Sequence, residues 1–142
     1  MTSYLNSRLM ERISGASARQ LDYWVRQGLI SPSGAPSTSR KWRKYTLSDA
    51  FNARIIVSLR EQGVSLQAIR QVARVLQLRQ RQALDPAGAL RHAKLIVDGG
   101  NVFVTDEPGP VYRAIDGQTT FLFMNLGHVK EEVERRLAAE RS

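Results

Sequence analysis

Two arginines and a tyrosine, Arg19, Tyr23 and Arg26, are spaced four and three residues apart. Side chains at this spacing lie on one face of a helix. A guanidinium can donate two hydrogen bonds to the edge of a guanine or bind a phosphate, and a tyrosine hydroxyl can donate to a phosphate. The pattern indicates a helix face suited to a polyanion, although any solvated amphipathic helix could carry the same residues.

The sequence around these three residues contains signals for both ends of a helix. Ser17 and Gln20 have the spacing of a capping box, in which each side chain satisfies a backbone group of the first turn. Gly28 supplies a left-handed stop. The other face of the helix is apolar and consists of Leu21, Trp24 and Val25. We therefore expect Trp24 to pack inside while the charged face stays exposed.

A second helix is predicted just before this one, over residues 4–14. Its apolar residues at helical spacing are Leu5, Leu9, Met10 and Ile13. Gly15 and Ala16 leave only a tight connection between the two helices. Two helices joined in this way form a helix-turn-helix unit.

A loop and a basic strand follow the helix-turn-helix unit. Residues 33–39 are turn formers, and residues 40–45 alternate cations with aromatics as in an extended strand. A hairpin with a basic returning strand would be a wing beside the helix-turn-helix. The alternative is a solvated edge strand whose charges discourage aggregation.

Two more helices are predicted before residue 85. Ser48 is the expected cap of the first, whose apolar face repeats at Phe51, Ile55 and Leu59 before Gly63 ends it. Ser65 is the expected cap of the second. Its predicted buried stripe consists of Leu66, Ile69, Val72, Ala73 and Leu76. Pro86 ends this helical region.

The rest of the chain predicts a small sheet with helices. Residues 94–97 and 102–105 read as a hairpin around a turn at 98–101, and residues 119–125 read as a third strand. Residues 127–140 read as an amphipathic helix with Val129, Val133 and Leu137 inside, and short helical turns are expected in residues 86–93 and 111–115. The expected fold is a mainly α winged helix-turn-helix domain over residues 1–84, followed by a small α+β domain over residues 85–142.

The charge is divided between these two predicted domains. Residues 1–84 hold 14 lysines and arginines against 4 acidic residues, whereas residues 85–142 hold 7 against 9. A basic part joined to a slightly acidic one suggests that only the first meets a polyanion.

Several classes of protein are disfavoured by the composition. There is no cysteine, and the two histidines, His92 and His128, lack the spacing of metal ligands. No arrangement of residues suggests catalysis, so we expect neither an enzyme nor a metal or other cofactor. No apolar segment suggests secretion or membrane insertion, and a cytoplasmic, nucleoid-associated protein is expected.

Residues 10–76 resemble the winged helix-turn-helix domain of MerR-type bacterial transcriptional regulators. The resemblance is carried, in order, by Arg19-Gln20-Leu21-Asp22-Tyr23-Trp24, Gln27-Gly28-Leu29-Ile30, Trp42-Arg43-Lys44-Tyr45 and Leu59-Arg60-Glu61-Gln62-Gly63-Val64-Ser65-Leu66-Gln67-Ala68-Ile69. It implies binding to double-stranded promoter DNA, usually as a homodimer that bends and untwists the duplex so that RNA polymerase can engage.

The resemblance also assigns roles to individual residues. It places Ala18 and Arg19 at the base-reading end of the recognition helix, Tyr23 on a phosphate and Arg43 of the wing on the DNA backbone. The full predicted DNA-binding set is Ser17, Ala18, Arg19, Asp22, Tyr23, Arg26, Arg40, Lys41, Arg43 and Lys44, with Arg54 and Arg60 as further candidates. Asp22 departs from many members, which have arginine there; it either accepts from a cytosine amine or orients Arg19 or Arg26. Asp22 and Trp24 resemble the residues at the same positions in a subgroup of the family that has a short α+β C-terminal domain.

The second half departs further from the usual family pattern. No heptad repeat follows Pro86, so the long coiled coil that joins two family members is not expected here. The α+β part could serve as a dimerisation module, a small effector or peptide pocket, or a docking site. Two other functions stay open: an architectural or recombination-directing DNA binder, and an antitoxin-like module whose C-terminal part binds a protein.

Overall fold

The computed structural model describes residues 4–32, 43–114 and 121–142. Along these residues the elements are, in order, α1 (Ser7–Ser14), α2 (Ala18–Arg26), α3 (Leu47–Glu61), α4 (Leu66–Gln82), a 3-10 turn (Pro86–Gly88), β1 (Lys94–Asp98), β2 (Asn101–Thr105), α5 (Gly109–Ala114), β3 (Leu122–Asn125) and α6 (Leu126–Arg141). The predicted order is confirmed: a helical N-terminal region precedes a three-stranded antiparallel sheet and a C-terminal helix.

The first helix is shorter than predicted. It begins after Asn6, whose side chain accepts a hydrogen bond from the backbone of Leu9 at 2.9 Å. Leu5 was predicted within the helix, but it lies before it and pairs with Tyr45 through two backbone hydrogen bonds. Leu5 is buried because of this pairing rather than because of helical periodicity. Gly15, with φ +82°, then turns the chain toward α2.

The cap of α3 also differs from the prediction. Thr46 caps the helix, and its hydroxyl and backbone exchange hydrogen bonds with Asp49, whereas Ser48 lies inside the first turn. Ser65 caps α4 as predicted, accepting from the backbone of Ala68 at 3.2 Å. Leu66 is 44% exposed, contrary to the predicted stripe, because it begins α4 and points outward.

A buried amide pair fixes the far end of α4 on α3. The amide nitrogen of Asn52 donates to Gln80 at 2.9 Å, and that of Gln80 donates back to Asn52 at 2.8 Å. Both side chains are buried, and each amide satisfies the other.

The sheet has the strand order β2-β1-β3, with β1 in the centre. Leu95 and Val97 of β1 belong to the main core, and their neighbours on β2 and β3 pack against it. Ile96 faces the other side, between Phe103 and Phe123 in the register. The turn at residues 98–101 is confirmed, with Gly99 at φ +56°.

One buried core runs through both halves of the chain. Helix α6 packs against α1 and α3, and Val133 of α6 is fully buried with residues of α1 to α4. The backbone of Leu126 donates to Ala93 at 3.1 Å, which ties the start of α6 to the segment before β1. The boundary at residue 84 stays a prediction, since side chains from both sides of it share this core.

Two further properties apply to the described ranges. None of their helices is both long and apolar enough to span a bilayer. Nor do their histidine, aspartate and glutamate side chains gather into a group of three that could hold a metal ion.

Candidate nucleic-acid interface

Helix α2 has one buried face and one exposed face. Leu21 and Trp24 are almost completely buried, which confirms the packing role predicted for Trp24. The exposed positions of the predicted set include Ser17, Arg19 and Arg26, and Tyr23 is 45% exposed. Ala18 is half-buried at the first position of the helix. The helix thus presents two guanidinium groups and a phenol to solvent.

The start of α2 has the predicted capping box. The hydroxyl of Ser17 accepts from the backbone of Gln20 at 3.1 Å, and the side chain of Gln20 accepts from the backbone of Ser17 at 3.0 Å. Because both ends of the box are satisfied within the helix, the first turn has a defined geometry before any ligand binds.

Helix α4 holds the other end of α2. The side-chain amide of Gln77 donates to the carbonyls of Gly28 at 3.2 Å and Leu29 at 2.7 Å. Arg70 donates to the side chain of Gln27 at 3.3 Å. These supporting residues could not be predicted from the sequence, because nothing in their local pattern connects them to α2.

Asp22 lies between two arginines. It forms an ion pair with Arg26 one turn along the helix, and its Oδ1 lies 3.0 Å from Nη1 of Arg43. Loss of solvent raises the pKa of Asp22, but hydrogen bonds and charge attraction from Arg26 and Arg43 outweigh this and bring the pKa below its usual value. Asp22 is therefore a carboxylate at neutral pH, and its contact with Arg26 fits one of the two roles predicted from the sequence, that of orienting an arginine.

Arg43 and Lys44, neighbours in the chain, lie in different environments. The Arg43 side chain is only 4% exposed and faces Asp22. Its Nε has no hydrogen-bond partner among the described residues. Lys44 is exposed, and its ammonium lies 5.6 Å from the ring centre of Tyr4. Arg40 and Lys41, the other two predicted wing cations, lie outside the described residues.

Arg54 is occupied by protein contacts rather than free on the surface. It donates from Nη1 to the carbonyl of Ser14 at 3.2 Å, and its Nε lies 3.2 Å from Glu132. Arg60, the other further candidate, is exposed. Of these two arginines, only Arg60 presents its charge to solvent.

These features define a helix-turn-helix protein whose second helix is capped, anchored and exposed along a basic face. Residues 7–76 match the model of the MerR HTH family regulatory proteins. This region, which is just under half of the chain, belongs to the MerR family of helix-turn-helix regulatory proteins.

Three relatives are described as HTH-type transcriptional regulators. An uncharacterized HTH-type transcriptional regulator of Mycobacterium bovis is 37% identical over 93 residues, and proteins of the same description from two Mycobacterium tuberculosis strains match equally well. The match covers 65% of this chain but only 39% of each relative. The similarity therefore concerns a part of those proteins.

Proposed function

We propose that the protein is a sequence-specific transcriptional regulator that binds promoter DNA as a homodimer. Helix α2 enters the major groove, Arg19 reads base edges, and Tyr23 and Lys44 bind phosphates on the backbone. RNA polymerase, at the same promoter, is the further partner that we propose. Family membership supports the DNA-binding part of the proposal.

The observation that carries the proposal is the exposed face of α2. Arg19 lies in the first turn, and DNA-reading helices contact bases mainly with their N-terminal residues. Arg26, in the last turn, is held by Asp22, whereas no ion pair of Arg19 occurs within the described residues. Arg19 is therefore the arginine best placed to read a guanine edge.

The first test selects bound duplexes from a random DNA pool at physiological salt, with the parent protein and with Arg19→Ala. We expect the parent to enrich an inverted repeat with fixed spacing. Arg19→Ala should lose the preference at one position of each half-site and bind the best site about 5- to 150-fold more weakly, corresponding to about 1–3 kcal/mol.

Arg113→Ala, at an exposed position on α5, serves as the control for loss of one positive charge. It should enrich the same site as the parent. If Arg19→Ala enriches the parent's site unchanged, then Arg19 does not read bases. If the parent enriches no sequence, sequence-specific regulation itself is wrong.

The homodimer part of the proposal is supported by the outer edge of β3, which pairs with no further strand among the residues that the structure describes. The residues of β3 are uncharged, whereas exposed edge strands usually carry charges or proline that prevent pairing. Phe123 is 43% exposed, and Tyr112 lies beside both Phe121 and Phe123, with ring centres 5.8 and 6.1 Å apart. The opposite edge differs, since Arg79 of α4 donates to the carbonyl of Val104 on β2.

A second copy of this chain is the occupant that we propose for this edge. Antiparallel pairing of β3 with its symmetry mate is what a two-fold axis produces. A groove of about 910 Å³ beside β3, lined by Val64, Leu122 and Met124 among others, leaves room for the additional strand. Because residues 85–142 are slightly acidic, pairing through them keeps both strongly basic halves free for DNA.

We expect Phe123→Lys to weaken dimerisation by at least about tenfold, because it places two like charges next to the symmetry axis. Sedimentation velocity over a concentration series measures the change. Leu84→Lys is the matched control, since Leu84 is fully exposed and lies outside the sheet. A dimer that is unaffected by Phe123→Lys and lost in Leu84→Lys would move the interface to the end of α4.

A further inference from the structure

A carboxylate of α6 contacts two arginines at the same time. Glu132 Oε1 lies 3.2 Å from Nε of Arg54 on α3 and 2.8 Å from Nη2 of Arg136 on α6. One acidic side chain thus links the C-terminal helix to the helical N-terminal region.

Both arginines that contact Glu132 also donate hydrogen bonds to the end of α1. Arg54 donates from Nη1 to the carbonyl of Ser14 at 3.2 Å, and Arg136 donates from Nη1 to the carbonyl of Ile13 at 3.1 Å. The last carbonyls of a helix have no partner within the helix, and cations near them are favourable. The two guanidinium groups therefore act as a cap on α1 that is supplied from α3 and α6.

The turn between α1 and α2 is fitted closely to this cap. Gly15 has φ +82°, and a Cβ atom at this position would lie 3.1 Å from Nη1 of Arg54. Ser17, which caps α2, follows two residues later. The orientation of α2 relative to α1 depends on this short connection, and Arg54 packs directly against it.

We propose that Glu132 is a positioning residue for DNA recognition. By holding Arg54 and Arg136 against the end of α1, it makes the geometry of the α1–α2 turn, and through it α2, depend on the C-terminal helix. This inference rests on the proposed function insofar as α2 is the helix that reads DNA. Because coupling is reciprocal, DNA bound by α2 also tightens the contact between α6 and α1.

The network is expected to affect geometry more than global stability. The side chains of Glu132 and Arg136 are partly exposed, at 35% and 39%, and exposed ion pairs contribute little to folding. Two guanidinium groups with fixed directions nevertheless restrict the turn that they contact. A loss of Glu132 should therefore loosen residues 15–20 without unfolding the protein.

The test compares Glu132→Gln with Glu140→Gln in the full chain. Glu140 forms another ion pair between α6 and α1, 3.3 Å from Arg12, but that arginine has no described contact with the turn. The two variants make the same change of charge on the same helix. Measurements are amide hydrogen exchange of the free protein, the urea midpoint, and affinity for the selected duplex and for a random duplex.

For Glu132→Gln we expect amide exchange in residues 15–20 to accelerate at least about fivefold, with a urea midpoint close to that of Glu140→Gln. Affinity for the selected duplex should fall about 5- to 30-fold, and affinity for the random duplex should change less. Glu140→Gln should match the parent in both. If exchange in residues 15–20 is the same in the two variants, the inference is overturned.

The exchange measurement needs no DNA, so it tests the positioning role separately from the proposed function. A parent protein that selects no DNA sequence would defeat the function, while exchange would still decide the role of Glu132. If Glu132→Gln does not fold, Arg136→Lys keeps the charge but loses one of the two donors of Arg136. Unchanged exchange in residues 15–20 of that variant would equally overturn the inference.

Discussion

Replacing Asp49 by asparagine is expected to stabilise the protein by about 2 kcal/mol at pH 7.5 and to change its stability little at pH 4. Asp49 is buried in the first turn of α3, where its Oδ2 accepts from the backbone of Thr46 at 2.8 Å. Burial raises the pKa of Asp49 from 3.8 to about 6, although the hydrogen bonds from Thr46 act in the opposite direction. Asparagine can accept the same hydrogen bond without a buried charge.

The pH dependence follows from the direction of this shift. Between about pH 4 and pH 6 the folded protein keeps a proton on Asp49 that the unfolded chain has released. The stabilisation linked to that proton is complete below the unfolded pKa and is lost as the pH rises through about 6. Asp22, whose pKa is lowered, acts oppositely, but its contribution is lost only as the pH falls below the ordinary range of a carboxyl group.

Urea unfolding from pH 4 to pH 7.5 measures this difference between the parent and Asp49→Asn. The two free energies of unfolding should diverge as the pH rises from about 4 to about 6 and keep a constant difference above that. Asp106→Asn, the same substitution at an exposed position, controls for the loss of one negative charge. If the free energies of unfolding of the parent and Asp49→Asn change in parallel with pH, then ionisation of the buried Asp49 does not destabilise the protein.

Local signals explain why α2 was predicted well. Ser17 and Gln20 form the expected box and Gly28 takes the expected positive φ, since each depends only on nearby backbone. The cap predicted for α3, Ser48, was wrong, because Thr46 caps this helix. Thr46 becomes the cap because Asp49, three residues later, completes a capping box with it. Asp49 is buried in this arrangement.

Contacts between distant residues could not be predicted in the same way. Periodicity shows which face of a helix is apolar, but it does not show which polar side chains meet across the core. Three contacts depend on tertiary packing in this way: Glu132 pairs with Arg54, Gln77 donates to the carbonyl of Leu29 after α2, and Arg43 is buried beside Asp22. A basic residue in a basic segment appears solvated in sequence, and only the fold places the Arg43 guanidinium beside Asp22.

This placement gives Arg43 and Lys44 different expected roles, which single alanine substitutions can separate. Lys44→Ala should weaken binding to all duplexes alike and reduce the slope of log affinity against log salt by about one, because an exposed ammonium can neutralise a phosphate. Arg43→Ala should leave that slope unchanged. It should instead lower the free energy of unfolding by about 2 kcal/mol, because it removes a buried guanidinium and leaves Asp22 without its inner partner.

Salt titrations of DNA binding and urea unfolding of both variants measure these effects, and Arg43→Lys tests whether charge alone supports Asp22. A lysine has a single flexible ammonium in place of the planar guanidinium, so we expect it to recover only part of the lost stability. A smaller salt slope for Arg43→Ala would mean that Arg43 leaves Asp22 and binds a phosphate when DNA arrives. In that case Asp22 would be free to pair with Arg26 alone, and the backbone contact predicted for Arg43 from the sequence would apply to the bound state.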